Sequence, residues 1–224
     1  MVVCVIHLQR QTHKEKLSII TSFMDYTLEN EHYPKSVYKF CKDNNLDEKT
    51  FYKYFGSLDA VKSMIWESFY DNVMSLLEKD QNFDVSKPKD KLLSFYFTFF
   101  EVLLLNRSYV LFALSGEEKI LSKMGHLSSL RKLFKAFATE LIEEGNSEKP
   151  SYLQHPPQIF SEAAWVQLGF LLKFWMEDTS KAFEKTDQAI EKSVQTAFDV
   201  FDNTPVSTLI DFGKFLWKEK FVTN

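Results

Sequence analysis

Arginine is nearly missing from this chain. Of 27 basic side chains only Arg10, Arg107 and Arg131 are arginines, so residues 11–106 contain none. Cysteine is equally sparse: Cys4 and Cys41 cannot build a disulfide framework, and the chain reads as an intracellular, cytoplasmic protein. Six glycines and six prolines in 224 residues are too few for a β protein made of tight turns, or for a flexible linker. The longest strongly apolar stretch, near residues 95–105, is interrupted by Glu101 and is far too short for a bilayer span. Metal spacing is missing too, because His7, His13, His32, His126 and His155 are scattered and no Cys-x2-Cys pair exists. There is no G-x-S-x-G elbow, phosphate loop or dinucleotide fingerprint. Glu117-Glu118 and Glu143-Glu144 are adjacent pairs, which diverge by about 100° on a helix and read as solvated faces. We therefore expect no enzyme, no metal and no cofactor. A net charge of -4 and a pI near 5.8 also exclude a broad basic field.

What the chain does have is aromatic residues, 16% of the total with 22 Phe, and apolar spacing of helical period. The first eight residues, MVVCVIHL, lack the basic start and cleavage site of a signal peptide and read as a lead-in or a docking tail. From His13 onward Leu17, Ile20, Met24 and Leu28 mark one stripe of a first helix, stopped at Tyr33-Pro34. Ser36 caps a short second helix, Asn44-Asn45-Leu46-Asp47 is turn chemistry, and Asp47 caps a third over residues 48–54. A long fourth helix covers residues 58–79, and a largely apolar one covers 89–106. Short helices at 109–114 and 118–123 precede a longer one at 127–144. Residues 145–157 form a loop, and helices at 158–178, 183–202 and 205–221 close the chain. No segment alternates with period two. The expected fold is all-α.

Residues 31–62 carry the most specific pattern. Two short helices joined by a tight polar turn, with Val37, Phe40, Cys41, Leu46, Phe51 and Phe55 at apolar positions, suit a helix-turn-helix. The run Thr50-Phe51-Tyr52-Lys53-Tyr54-Phe55, then Gly56-Ser57 and Leu58-Asp59-Ala60-Val61, resembles the tetracycline-repressor (TetR) family, as do Tyr33, Ser36-Val37, Phe40-Cys41 and Asn45-Leu46-Asp47. The resemblance spans about residues 13–65. It implies a DNA-binding domain at 1–57 and a helical ligand-binding and dimerisation domain at 58–224. It further implies a homodimer, binding of double-stranded DNA by the third helix, and a pocket for a hydrophobic small molecule or lipid.

On that reading Lys35, Ser36, Lys39, Lys49, Thr50, Tyr52, Lys53 and Tyr54 line one surface around the turn, as phosphate contacts or as a solvated face. Phe95, Phe99, Phe112, Phe137, Trp165 and Phe170 fall on the helices expected around the pocket. Ile190, Val194, Phe198, Phe201, Leu209, Phe212 and Leu216 form the seams expected at the dimer interface. Arg107 is the lone guanidinium near the pocket region, for a surface ion pair or an acidic ligand head.

Three departures bear on function. Leu58 stands where family members carry a phosphate-contacting lysine, and Asp47-Glu48 place two carboxylates at the start of the third helix, where phosphate is otherwise favoured. Residues 1–80 hold ten Lys/Arg against twelve Asp/Glu, a net charge of -2. Phosphate neutralisation supplies most non-specific affinity, so any DNA binding should be weak and salt-sensitive. A second, shorter stretch, Phe174-Trp175-Met176-Glu177-Asp178-Thr179-Ser180 with Phe183 and Thr186, is similar to the lipid-binding proteins of ubiquinone biosynthesis, which share the TetR architecture without acting as repressors. The same stretch also reads as an interhelical turn capped by Ser180. The alternative function is accordingly a hydrophobic-ligand carrier without operator binding.

Overall fold

The computed structural model describes residues 2–115, 127–147, 149–151 and 154–203. Every regular element among them is helical: α1 (Val2–Asn30), α2 (Val37–Asp43), α3 (Glu48–Tyr54), α4 (Leu58–Leu77), α5 (Pro88–Leu104), α6 (Arg107–Leu114), α7 (Ser128–Asn146), α8 (Pro157–Glu177) and α9 (Glu184–Asn203), with a 3-10 turn at Lys181–Phe183. The all-α expectation holds. One boundary needs correction: α1 starts at Val2 rather than His13, because neither Pro nor Gly interrupts residues 2–30. The expected helices at 118–123 and 205–221 lie outside the described residues.

The chain divides into two compact units, residues 1–72 with 101–131, and 73–100 with 132–224. The domain boundary expected after Ser57 falls inside the first unit. In that unit Val61, Ile65 and Trp66 of α4 are buried. Phe23, Phe40, Phe51 and Phe55 form the centre of its core, Phe40 lying 5.8 Å from Phe23 and 6.0 Å from Phe51 by ring centroids. α6 packs against α1, with Phe112 edge-on to Tyr33 at 5.2 Å. Burial raises the pKa of the Tyr33 phenol against the opposing hydrogen bond with Tyr109.

The second unit is built on an aromatic stack. Phe95 lies parallel to Phe99 at 5.7 Å and to Phe137 at 5.0 Å, and Phe134 joins Phe95 (5.2 Å), Tyr96 (5.9 Å) and Trp165 (6.3 Å). Stacked and tilted pairs of this kind add to simple burial. The corner between α8 and α9 is tight: Ala182 (φ 52°) and Phe183 (φ 58°) both take the left-handed conformation that side chains disfavour. Asp178 holds it together. Its carboxylate accepts hydrogen bonds from the Ser180 N–H (2.8 Å), the Thr186 N–H (3.0 Å) and the Thr186 hydroxyl (2.7 Å). The Asp178-Thr179-Ser180 run is thus the interhelical turn, although Asp178 carries most of the capping and Ser180 Oγ accepts only from the Lys185 N–H at 3.2 Å.

Candidate functional site

The helix-turn-helix is assembled by local chemistry. Ser36 Oγ accepts from the Lys39 N–H at 3.1 Å and Asp47 from the Thr50 N–H at 3.2 Å, so both short helices are capped by their own sequence. Asn45 takes the left-handed turn position (φ 51°), and the Leu46 N–H closes the turn on the Cys41 carbonyl at 2.8 Å. Buried Cys41 sits at the crossing, where burial, aided by Glu48 and Asp47, raises its thiol pKa.

Phe40 and Phe51 point inward, which leaves Lys35, Ser36, Lys39, Lys49, Tyr52 and Lys53 exposed and Thr50 and Tyr54 half-buried. Two of the four lysines are already engaged. Lys39 Nζ lies 2.8 Å from Asp43, and Lys53 Nζ lies 3.3 Å from Glu15 on α1. The same Glu15 oxygen accepts a hydrogen bond from the Tyr54 hydroxyl. Those bonds, from Tyr54 first and Lys53 second, hold the Glu15 carboxyl below its ordinary pKa. Tyr38, an exposed aromatic on α2, stands on the surface with Tyr52.

The second unit carries an open-sided groove of about 870 Å³. Leu92 of α5, Leu141 and Ile142 of α7, Ile159 and Phe160 of α8, and Phe198 and Phe201 of α9 supply much of its apolar wall. Its polar lining is mostly consumed internally. The Tyr96 hydroxyl donates to Gln167 Oε1 (3.3 Å), Gln167 Nε2 donates to Ser193 Oγ (3.0 Å), and Ser193 donates to the Ile190 carbonyl (3.1 Å). Thr196 donates to the Lys192 carbonyl at 2.8 Å. Among the described residues, Lys192 is the one charged side chain in the lining. At one end the Phe201 ring lies tilted against His155, 4.2 Å between ring centroids. His155 is fixed by Asn146, whose amide donates to the His155 carbonyl (2.8 Å) and accepts from its N–H (2.9 Å).

The profile of the tetracyclin repressor-like C-terminal domain matches residues 91–216, more than half of the chain. The chain belongs to the TetR family. Among solved structures it is similar to a chain described as a TetR-family transcriptional regulator from Syntrophomonas wolfei str. Goettingen. The TM-score is 0.64 at 16% identity, with 87% of this chain and 98% of that one covered. It is also similar to the fatty acid degradation regulator FadR of Bacillus halodurans, with a TM-score of 0.57 at 14% identity and coverage of 85% and 96%. At these identities the likeness is one of fold. No match was found among curated proteins.

On the TetR frame, the residues expected at the pocket separate. Phe170 lines the groove. Phe95, Phe99, Phe137 and Trp165 are buried in the aromatic stack, and Phe112 belongs to the first unit, against Tyr33. The wall residues Ala163, Ala164 and Ala189 and the lysine at 192 carry no signal in the sequence, since alanines at helical spacing point to no chemistry, while Ala197, expected on the dimer seam, also lines the groove. Of the residues expected at the dimer seam, Ile190 and Val194 are wholly buried within the chain, while Phe198 and Phe201 line the groove. Leu209, Phe212 and Leu216 lie outside the described residues. Arg107 opens α6 in the first unit and does not line the groove. Among the described residues no three His, Cys, Asp or Glu side chains converge as metal ligands, and no single helix is long and apolar enough to cross a membrane.

Proposed function

We propose that this TetR-family chain is a cytoplasmic, homodimeric transcriptional regulator that binds double-stranded DNA through α2 and α3. Its control comes from a hydrophobic ligand with an anionic head, held in the groove of the second unit. The groove carries the reading. Its volume of about 870 Å³ lies within the range of small-molecule sites, and its wall is almost wholly apolar. The Lys192 ammonium is the charge in the lining that can meet a head group, since the Ser193 and Thr196 hydroxyls donate to backbone carbonyls and Gln167 donates to Ser193. A long-chain fatty acid has this chemistry, and the fold neighbour described as a fatty acid degradation regulator supports the choice.

The test is a pair of titrations. The parent chain takes up a fluorescent long-chain fatty acid and binds a mixed-sequence duplex at low salt, and saturating fatty acid weakens that duplex binding. Ala197→Trp fills the groove. It should keep duplex binding, lose about tenfold or more in fatty-acid affinity, and lose the response. No uptake of the fatty acid, or uptake without effect on the duplex, rejects ligand control. The pairing of Lys39 and Lys53 with carboxylates favours a second reading, a ligand carrier that does not bind DNA. Uptake with no duplex binding at low salt selects it.

Dimerisation is supported by α8. Ile159, Val166 and Phe170 recur along one face and are 52%, 67% and 57% exposed, and since Ile159 and Phe170 also edge the groove, a second copy covering this row would border the ligand site. Light scattering should give twice the 26.3 kDa chain mass, and Val166→Asp should return the single-chain value. A parent that scatters as one chain at micromolar concentration rejects the dimer.

A further inference from the structure

We propose that Glu15 is an internal competitor of DNA phosphates for one end of α3, holding the Lys53 ammonium and the Tyr54 hydroxyl that a duplex backbone needs. The inference rests on the DNA-binding reading above and states what limits it. Glu15 belongs to α1 and lies 38 residues before Lys53, so the fold, and no local helix pairing, brings them together. One carboxylate oxygen faces both an ammonium, at 3.3 Å, and a phenol O–H, and Lys53 Nζ also sits 4.8 Å from the centre of the Tyr54 ring.

A phosphate oxygen accepts from the same two kinds of donor. With Lys39 turned to Asp43, the two remaining lysines of the surface, Lys35 and Lys49, make no ion pair with the described residues. The contact is exposed, but the Tyr54 hydroxyl anchors the same carboxylate oxygen on α3 and keeps it against Lys53. DNA binding by this chain then proceeds with Lys53 withheld, and the count of neutralised phosphates is one lower than the sequence offers.

The count is measurable. Each neutralised phosphate steepens the dependence of log affinity on log salt by about 0.9. Salt titration of a mixed-sequence duplex is run for the parent, Glu15→Gln, Lys53→Ala and the double variant, with helicity and melting compared. Glu15→Gln should bind roughly fivefold more tightly at low salt and steepen the slope by about 0.9. Lys53→Ala should leave the parent slope unchanged and erase the gain in the double variant. Glu15→Ala removes the same carboxylate by a different side chain and must reproduce the slope if Glu15→Gln folds poorly.

A slope unmoved by losing Glu15 overturns the proposal. So does a slope that Lys53→Ala flattens as much in the parent as in Glu15→Gln, because Lys53 would then already be on the DNA. Binding by Glu15→Gln alone supports the proposal outright. No binding by parent or variant at low salt removes the DNA-binding reading, and this inference with it.

Discussion

Truncating Phe134 to alanine should lower stability by about 3–5 kcal/mol, the range for a large aromatic removed from a packed core. Phe134 has no exposed surface and is the hub of the second unit's stack, within 6.5 Å of Phe95, Tyr96, Phe137 and Trp165 by ring centroids. Four stiff neighbours cannot collapse into the space it leaves, so the void persists and the upper half of the range applies. Total stabilities are about 5–15 kcal/mol, which puts Phe134→Ala near the edge of folding. At this chain length the melting midpoint should fall by roughly 6–20 °C. The control is Val85→Ala, at a position 82% exposed, which should stay within about 0.5 kcal/mol of the parent. A Phe134→Ala midpoint within a degree or two of the parent would show that the stack is loosely packed.

Asp178 should give the second large effect, and one that depends on pH. Burial alone would raise its pKa. The hydrogen bonds from the Thr186 and Ser180 side chains and backbone outweigh that and hold it at about 2, against an ordinary 3.8. A carboxyl whose folded pKa lies below its unfolded value stabilises the fold while it is ionised. That contribution is complete above about pH 5 and is lost progressively as pH falls through about 2. Asp187, in the first turn of α9, works in the opposite sense: burial first, then Glu191 and Asp178, raise its pKa, so protonation relieves a small penalty there. Asp178→Ala leaves the Thr186 and Ser180 donors without their acceptor and should cost about 1–3 kcal/mol at neutral pH. Denaturant midpoints between pH 2 and pH 7 check both parts. The parent should lose stability toward pH 2, and the variant should start lower with a shallower acid slope. Parallel curves for parent and variant would mean that the Asp178 carboxylate does not stabilise the corner.

Features decided by near neighbours along the chain are legible in the amino-acid sequence alone. α3 covers the same residues the sequence indicates, since Asp47 caps it and Phe55 ends it without help from elsewhere. The left-handed turn position goes to Asn45, a residue suited to it. The start of α1 is not legible, because an apolar run with no breaker reads equally as a tail or as helix. The groove is obscure for a different reason. Aromatic residues fix attention on the stack they fill, whereas the space beside it is left by alanines at 138, 163, 164, 189 and 197, whose meaning depends on how α7, α8 and α9 pack. Glu15 shows the same limit beside α3. Nothing in its local sequence ties it to Lys53, yet the tie alters which lysines are available.

The apolar row on α8 has a consequence for how the stability of this chain is to be defined. If a second copy covers Ile159, Val166 and Phe170, folding and association share one equilibrium, and the folded population follows mass action. Diluting the protein then lowers its melting temperature with no change in any intramolecular contact. On that condition, a cell that expresses more or less of this chain sets its durability as well as its amount.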